Sequence, residues 1–390
     1  MPAILRDQKV RNAVMQASFV GVLIVALVSG TINVRDSLAE QGITASFDFL
    51  QRSTGWNIGF SVLPFDSQDT YARALLIGFL NTLVVGSASL VAATLVGLIV
   101  GLARTGSNRI ANLMGLLYVE TFRNIPLIVQ MIFYYALATH LPGPREAISV
   151  ADAALLSSRG IYLPGLSVMP ETAFFAIVIM AAAAGIAILA ARRPGFSYLD
   201  PQRKWAILLG IMAGGAVIAA VLLWLGRAPD LPFVSYPALQ GLNIQGGIRI
   251  SPEFSTLVFS IGIYGGAYVA EIVRGGFKSA GRGQLEAARA VGLSDWQIFR
   301  LVQFPLALRA MLPILANQYI WLIKSTTMGI AVGFSDFFAI VSTSINQSGQ
   351  TIPLIGILMA GFLIINFSLA LLFNRINASI AIRGHSGASP

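Results

Sequence analysis

The chain has 390 residues, 56% of them hydrophobic and 11% charged, with a formal net charge of +9 and a mean hydropathy of +0.75. That balance excludes a soluble globular fold and predicts a polytopic membrane protein. There is no cysteine, the only histidines, His140 and His385, lie far apart, and the cations are scattered through short loops, so redox chemistry, metal catalysis and nucleic-acid binding find no support.

Eight apolar runs, at about 12–33, 74–102, 113–138, 172–191, 206–226, 254–277, 311–334 and 353–374, are long enough to span a bilayer. They are apolar on every face, whereas barrel strands alternate, so the expectation is an all-α fold with about eight transmembrane helices. Arg6, Lys9 and Arg11 precede the first run and Ser29-Gly30-Thr31 offers small residues for cleavage. Its length nevertheless favours a retained anchor over a signal peptide. The outward loop at 34–70 carries Trp56, Phe60 and Phe65 among polar residues.

The third run contains Glu120, Arg123 and Pro126, with Gln130 one turn beyond the proline. Glu120 and Arg123 at i, i+3 can neutralise one another, or Pro126 can free a backbone carbonyl so that a polar face lines a cavity. Runs one, four and five, the fourth built around Ala181-Ala182-Ala183-Ala184, read as packing or lipid-facing helices. The Pro- and Gly-rich loops at 139–171 and 227–253 do not look like a folded enzyme domain. The sixth run ends with a second i, i+3 pair, Glu271 and Arg274, either a paired stop-transfer cation or part of a charged inner mouth.

A polar segment follows. Residues 284–290 favour a short helix, Gly292 can end it in a left-handed conformation, and Ser294 with Gln297 three residues later reads as a capping box for a second helix that Pro305 closes. Two such helices make a knob with an Ala-rich tip, from which Glu286 can reach a partner. The seventh run places Asn317, Gln318, Lys324, Ser325 and Thr326 on several faces, as interhelical hydrogen-bond partners or as a solute path. Lys324 needs a carboxylate, carbonyls or water, and a passing carboxylate would suit it.

With a cytoplasmic N-terminus, 17 Lys and Arg face inward and 7 outward, while Arg123 and Lys324 fall inside runs. The positive-inside rule thus places both termini and the 280–305 loop in the cytoplasm. Four stretches follow: 1–70, 71–139, 140–253 with the two extra runs, and 254–390.

Glu286-Ala287-Ala288, three residues, Gly292, nine residues and Val302-Gln303-Phe304-Pro305 together resemble the cytoplasmic signature of bacterial ABC-importer permeases. The stretches 120–130 and 270–276, Leu312-Pro313, Asn317-Gln318 and Lys324-Ser325-Thr326 resemble the polar amino-acid subfamily. Length and the two-run insert are similar to the larger permease subunit of general L-amino-acid importers. The resemblance covers 72–139 and 251–383. It implies a type I permease core of five helices plus an N-terminal helix and a two-helix insert, in the bacterial inner membrane. It also implies a coupling loop in which Glu286, Ala287, Ala288, Gly292, Trp296 and Pro305 seat on an ABC ATPase dimer, with Leu285 replacing the subfamily's usual aromatic. The other implied partners are a periplasmic amino-acid-binding protein and a second permease or a copy of this one, a heterodimer being favoured.

The chain has no Gly-rich phosphate loop ending in Gly-Lys-Ser or Gly-Lys-Thr, so it is not expected to be an enzyme or to bind a cofactor; ATP and Mg belong to the partner ATPase. The rival reading is an ion-coupled secondary transporter, against which stands the lack of an internal repeat. A non-transporting scaffold would leave the intramembrane charges unexplained.

Overall fold

The structure is a computed structural model describing residues 8–40, 46–106, 108–151, 153–191, 193–228 and 232–380. The extreme termini, with Arg6 and His385, lie outside the described residues, as does Arg192. In chain order the elements are α1 (Gln8–Glu40), α2 (Tyr71–Ala103), α3 (Arg109–Asn124), α4 (Leu127–Thr139), β1 (Ile148–Val150), β2 (Ala154–Ser157), β3 (Gly160–Leu163), β4 (Gly165–Leu166), α5 (Pro170–Ala191) and α6 (Pro201–Leu225). There follow β5 (Val234–Ser235), β6 (Ala238–Gln240), β7 (Asn243–Gln245), β8 (Ile248–Ile250), α7 (Pro252–Ser279), α8 (Arg282–Ala290), α9 (Asp295–Ile298), α10 (Phe304–Lys324), α11 (Phe337–Ser348) and α12 (Thr351–Ile380).

All eight apolar runs are helical, yet among the described residues six helices are long and apolar enough to cross a membrane. The third run is broken into α3 and α4, bent by 100°, and counting that pair as one span brings the number among the described residues to seven; the shorter apolar stretch Val14–Gly30 of α1 stands beside them. The seventh run also changes character: α10 gives way to a 3-10 stretch, Ser325–Val332, ending at Gly333 with φ +79°.

Helix starts follow local chemistry. Thr70 caps α2 by accepting from the Arg73 N–H, and Asn108 caps α3 by accepting from Ile110 and Ala111. Ser251 caps α7, whose first position is Pro252, where the missing N–H costs nothing.

The centre of the molecule is the α2–α7 pair. Ser89, Ala93, Gly97 and Gly101 form a small-residue stripe every fourth position along α2, which lets the backbones approach closely. A Cβ on Gly97 would stand 2.4 Å from Val269, and one on Gly101 2.7 Å from Val273. The α3 helix is tied to α7 by the Tyr118 hydroxyl, which donates to the Ile263 carbonyl at 2.5 Å, and α2 to α10 by a 2.6 Å contact between Thr94 and Tyr319.

The two Pro- and Gly-rich loops hold short β-structure that adds to the all-α expectation. Strands β1, β2, β3 and β8 form one antiparallel sheet in that order, while β4 pairs with β5 and β6 with β7. Both loops therefore form one lobe on the side of the membrane where α5 and α7 begin. The intervening helices α5 and α6 pack chiefly on one another.

Candidate functional site

Two groups of residues stand out, one at the polar loop and one inside the helix bundle. In the loop, α8 ends at Gly292 with φ +81°, the Gly292 and Leu293 amides bonding back to the Arg289 and Ala288 carbonyls. Ser294 then accepts from the Gln297 N–H at 3.4 Å while the Gln297 side chain accepts from the Ser294 N–H at 2.9 Å, a reciprocal capping box. Glu286, Ala287 and Gly292 are exposed, whereas Ala288 faces inward. Trp296 is 67% exposed.

Pro305 does not close the second helix. A π-turn, Phe299–Gln303, carries α9 directly into α10, where Pro305 sits in the first turn. The π-turn's shifted hydrogen bonding absorbs the amide that proline lacks, so the helix continues instead of stopping. It also aims Phe299 between Trp296, at 5.6 Å and 21°, and Phe277 of α7, at 5.9 Å and 7°. The knob is thus stacked on the last turns of a core helix.

In the bundle, Pro126 breaks the third run, and the amide of Gln130 donates to the carbonyls of Phe122 and Ile125, each at 2.9 Å. Glu120 and Arg123 do not pair. Glu120 is exposed, with the Asn124 amide near it at 3.4 Å, while the Arg123 guanidinium lies over the Tyr268 ring, 4.9 Å from its centre. A ring face on the neighbouring α7 is its partner in place of the carboxylate on its own helix. Tyr268 belongs to a cluster with Tyr264 and Trp321, ring centres 5.1 to 6.4 Å apart, and Tyr264 donates to the Tyr268 hydroxyl at 3.1 Å.

The second pair is real and has a third member. Glu271 bonds Arg274 and also Arg104 at the C-terminal end of α2, the latter at 2.6 Å. No single ring joins these charges to Arg123. Of the α10 candidates, Asn317 and Lys324 are exposed, and among the described residues Lys324 has no carboxylate within ion-pair distance. Ser325 and Thr326 bond back to the Trp321 and Ile323 carbonyls, the inert use of a membrane hydroxyl.

Sequence reasoning missed Arg104, the two tyrosines and Asp336. Asp336 caps α11, its carboxylate accepting from the Ala339 N–H at 2.8 Å, and is fully buried. The one local signal for it was an acid three residues ahead of Ala339 at the start of an apolar helix.

The description "Binding-protein-dependent transport system inner membrane component" matches residues 93–381. A curated relative, the putative amino-acid ABC transporter permease protein YhdX of Escherichia coli (strain K12), is 34% identical over 95% of each chain. The general L-amino acid transport system permease protein AapQ of Rhizobium johnstonii is 33% identical over 96% of this chain and 94% of its own. The glutamate/glutamine/aspartate/asparagine transport system permease protein BztB of Rhodobacter capsulatus is 29% identical over 97% and 96%. With six apolar spanning helices and a matched region covering about three quarters of its length, this chain belongs to the binding-protein-dependent transport system inner membrane components, as a multi-pass permease subunit.

Proposed function

We propose that this chain is the transmembrane subunit of an ATP-driven importer that moves L-amino acids from periplasm to cytoplasm by alternating access. A separate ATPase drives it through the 286–305 loop. The observation that carries the reading is the self-capped knob, which presents Glu286 and Trp296 outward and is stacked through Phe299 onto Phe277 of α7. The same helix carries Tyr264, Tyr268 and Glu271, so a push on the knob is delivered to the polar interior. Closure of an ATPase dimer on ATP would favour one orientation of that helix and so shift the population between inward- and outward-facing states.

The chain breaks no bond in its cargo. Arg123 supplies a positive charge for a passing α-carboxylate, and the faces of Tyr264 and Trp321 suit the α-ammonium group. Amino-acid cargo is also supported by the names of the relatives. The distribution of Lys and Arg favours cytoplasmic termini and knob in the bacterial inner membrane. A second permease, a periplasmic amino-acid-binding protein and the ATPase, with its ATP and Mg, complete the assembly.

The test is tagged co-purification from solubilised membranes together with uptake in cells. Glu286→Arg is expected to lose the ATPase and ATP-driven uptake while the permease stays inserted. Gly292→Val, which puts a β-branched side chain at φ +81°, is expected to do the same. Normal uptake by the Glu286→Arg variant would sink the coupling role, and uptake insensitive to ATP depletion would point to ion coupling.

A further inference from the structure

The closed end of the α5–α6 hairpin carries Arg192, Arg193, Arg203 and Lys204 against one acid, Asp200. Because α5 and α7 both start from the β lobe, this turn emerges on the membrane side of the knob. A groove of about 490 Å³ lies there, lined by Ala190, Gly195, Phe196, Leu199 and Ile207 with Arg193 as its one charged wall residue. Arg203 precedes Ile207 by one helical turn and so shares its face of α6. Tyr198 and Trp205, 89% and 66% exposed, flank the turn, the placement of aromatic anchors at a membrane interface. Lys204 already has a partner within the fold, whereas Arg193 and Arg203 are exposed.

An apolar slot with one guanidinium in its wall and a second arginine one helical turn from it matches an amphiphile with one charged end. We propose that this groove binds an anionic glycerophospholipid of the leaflet facing the knob, an acyl chain in the groove and the headgroup phosphate between Arg193 and Arg203. Guanidinium forks match phosphate oxygens bidentately, and juxtamembrane cations clustered this way attract anionic headgroups. The lipid would complete a hairpin that packs chiefly on itself, and the site is independent of what the bundle transports.

The test is native mass spectrometry of the full, delipidated chain titrated with phosphatidylglycerol or phosphatidylcholine. Wild type is expected to retain phosphatidylglycerol preferentially, and excess inorganic phosphate is expected not to displace it. Arg193→Gln with Arg203→Gln, two exposed positions, is expected to weaken phosphatidylglycerol binding by roughly 25-fold, about five-fold per cation, and to leave phosphatidylcholine unchanged. Ile207→Trp keeps both charges but fills the groove, and is expected to release the lipid as well. Equal binding of the two lipids, displacement by inorganic phosphate, or undiminished phosphatidylglycerol binding in either variant would overturn the site.

Discussion

Asp336 shows how one side chain can set a pH response. Burial pushes its carboxyl up to about 7, against the opposing pull of the backbone amides at the start of α11, and its second oxygen meets no donor. In the unfolded chain an aspartate ionises near about 3.9. Between these values the folded chain holds a proton that the unfolded chain has released, so stability is highest on the acid side and falls as pH rises through the window. The slope is at most about 1.4 kcal/mol per pH unit. Melting temperatures in detergent from pH 4 to 8 should decline for wild type, and Asp336→Asn, which keeps the cap acceptor, should remove that decline; a wild-type curve that climbs across the window would refute the assignment. Arg104 is a second case, 8% exposed and bonded to Glu271. Arg104→Met is expected to cost about 1–3 kcal/mol, read as earlier melting. The Glu271–Arg274 pair was legible in the sequence because three residues separate its members on one helix. Arg104 was not, because its partner lies 167 positions away and an arginine at a helix end reads as a topology signal. Glu120 and Arg123 had the same spacing as the true pair, but the ring of Tyr268 on α7 takes the Arg123 guanidinium instead.

At the scale of elements, the α2–α7 contact sets the spacing of the bundle. Gly97→Leu drives a side chain into Val269, where even a Cβ would sit 2.4 Å away. It is expected to destabilise the chain by about 1–3 kcal/mol, with part of the loss recovered when Val269→Ala is added; thermal melting of the single and double variants checks this. The break at Pro126 depends on Gln130, since its amide serves two carbonyls that the bend exposes. Gln130→Leu strands both and is expected to cost about 2 kcal/mol or more, again by melting temperature. Apolar runs marked where helices form, because burial in lipid demands them whatever they pack against. They carried no information about a 100° bend, and the π-turn before Pro305 was hidden because proline usually ends a helix. The β-strands are two to four residues long, too short for alternation to register, and their pairing joins loops separated by the whole α5–α6 hairpin.

At the scale of the molecule, the central bundle is joined by close backbone contacts, while the α5–α6 hairpin packs mainly on itself. Helices α2, α4, α7 and α10 share buried side chains around Met131, Leu257, Ile261 and Leu322, and Val119 of α3 packs on Ala267 and Ala270 of α7, while α5 and α6 meet mainly each other. The way the chain enters and leaves that hairpin is specific: β4 and β5 are antiparallel neighbours, with Gly165 opposite Ser235 and Leu166 opposite Val234. The chain therefore departs from the lobe and returns to it at facing positions, about 5 Å apart across the ladder. A variant in which a turn of about two residues replaces 168–232 is expected to insert and to melt close to wild type, as judged by membrane fractionation and melting in detergent. Such a hairpin is a graft on a scaffold that does not register its presence. Over generations its length and surface can be rewritten at little cost to the fold, whereas a single methyl group added at Gly97 forces Val269 across the contact to shift.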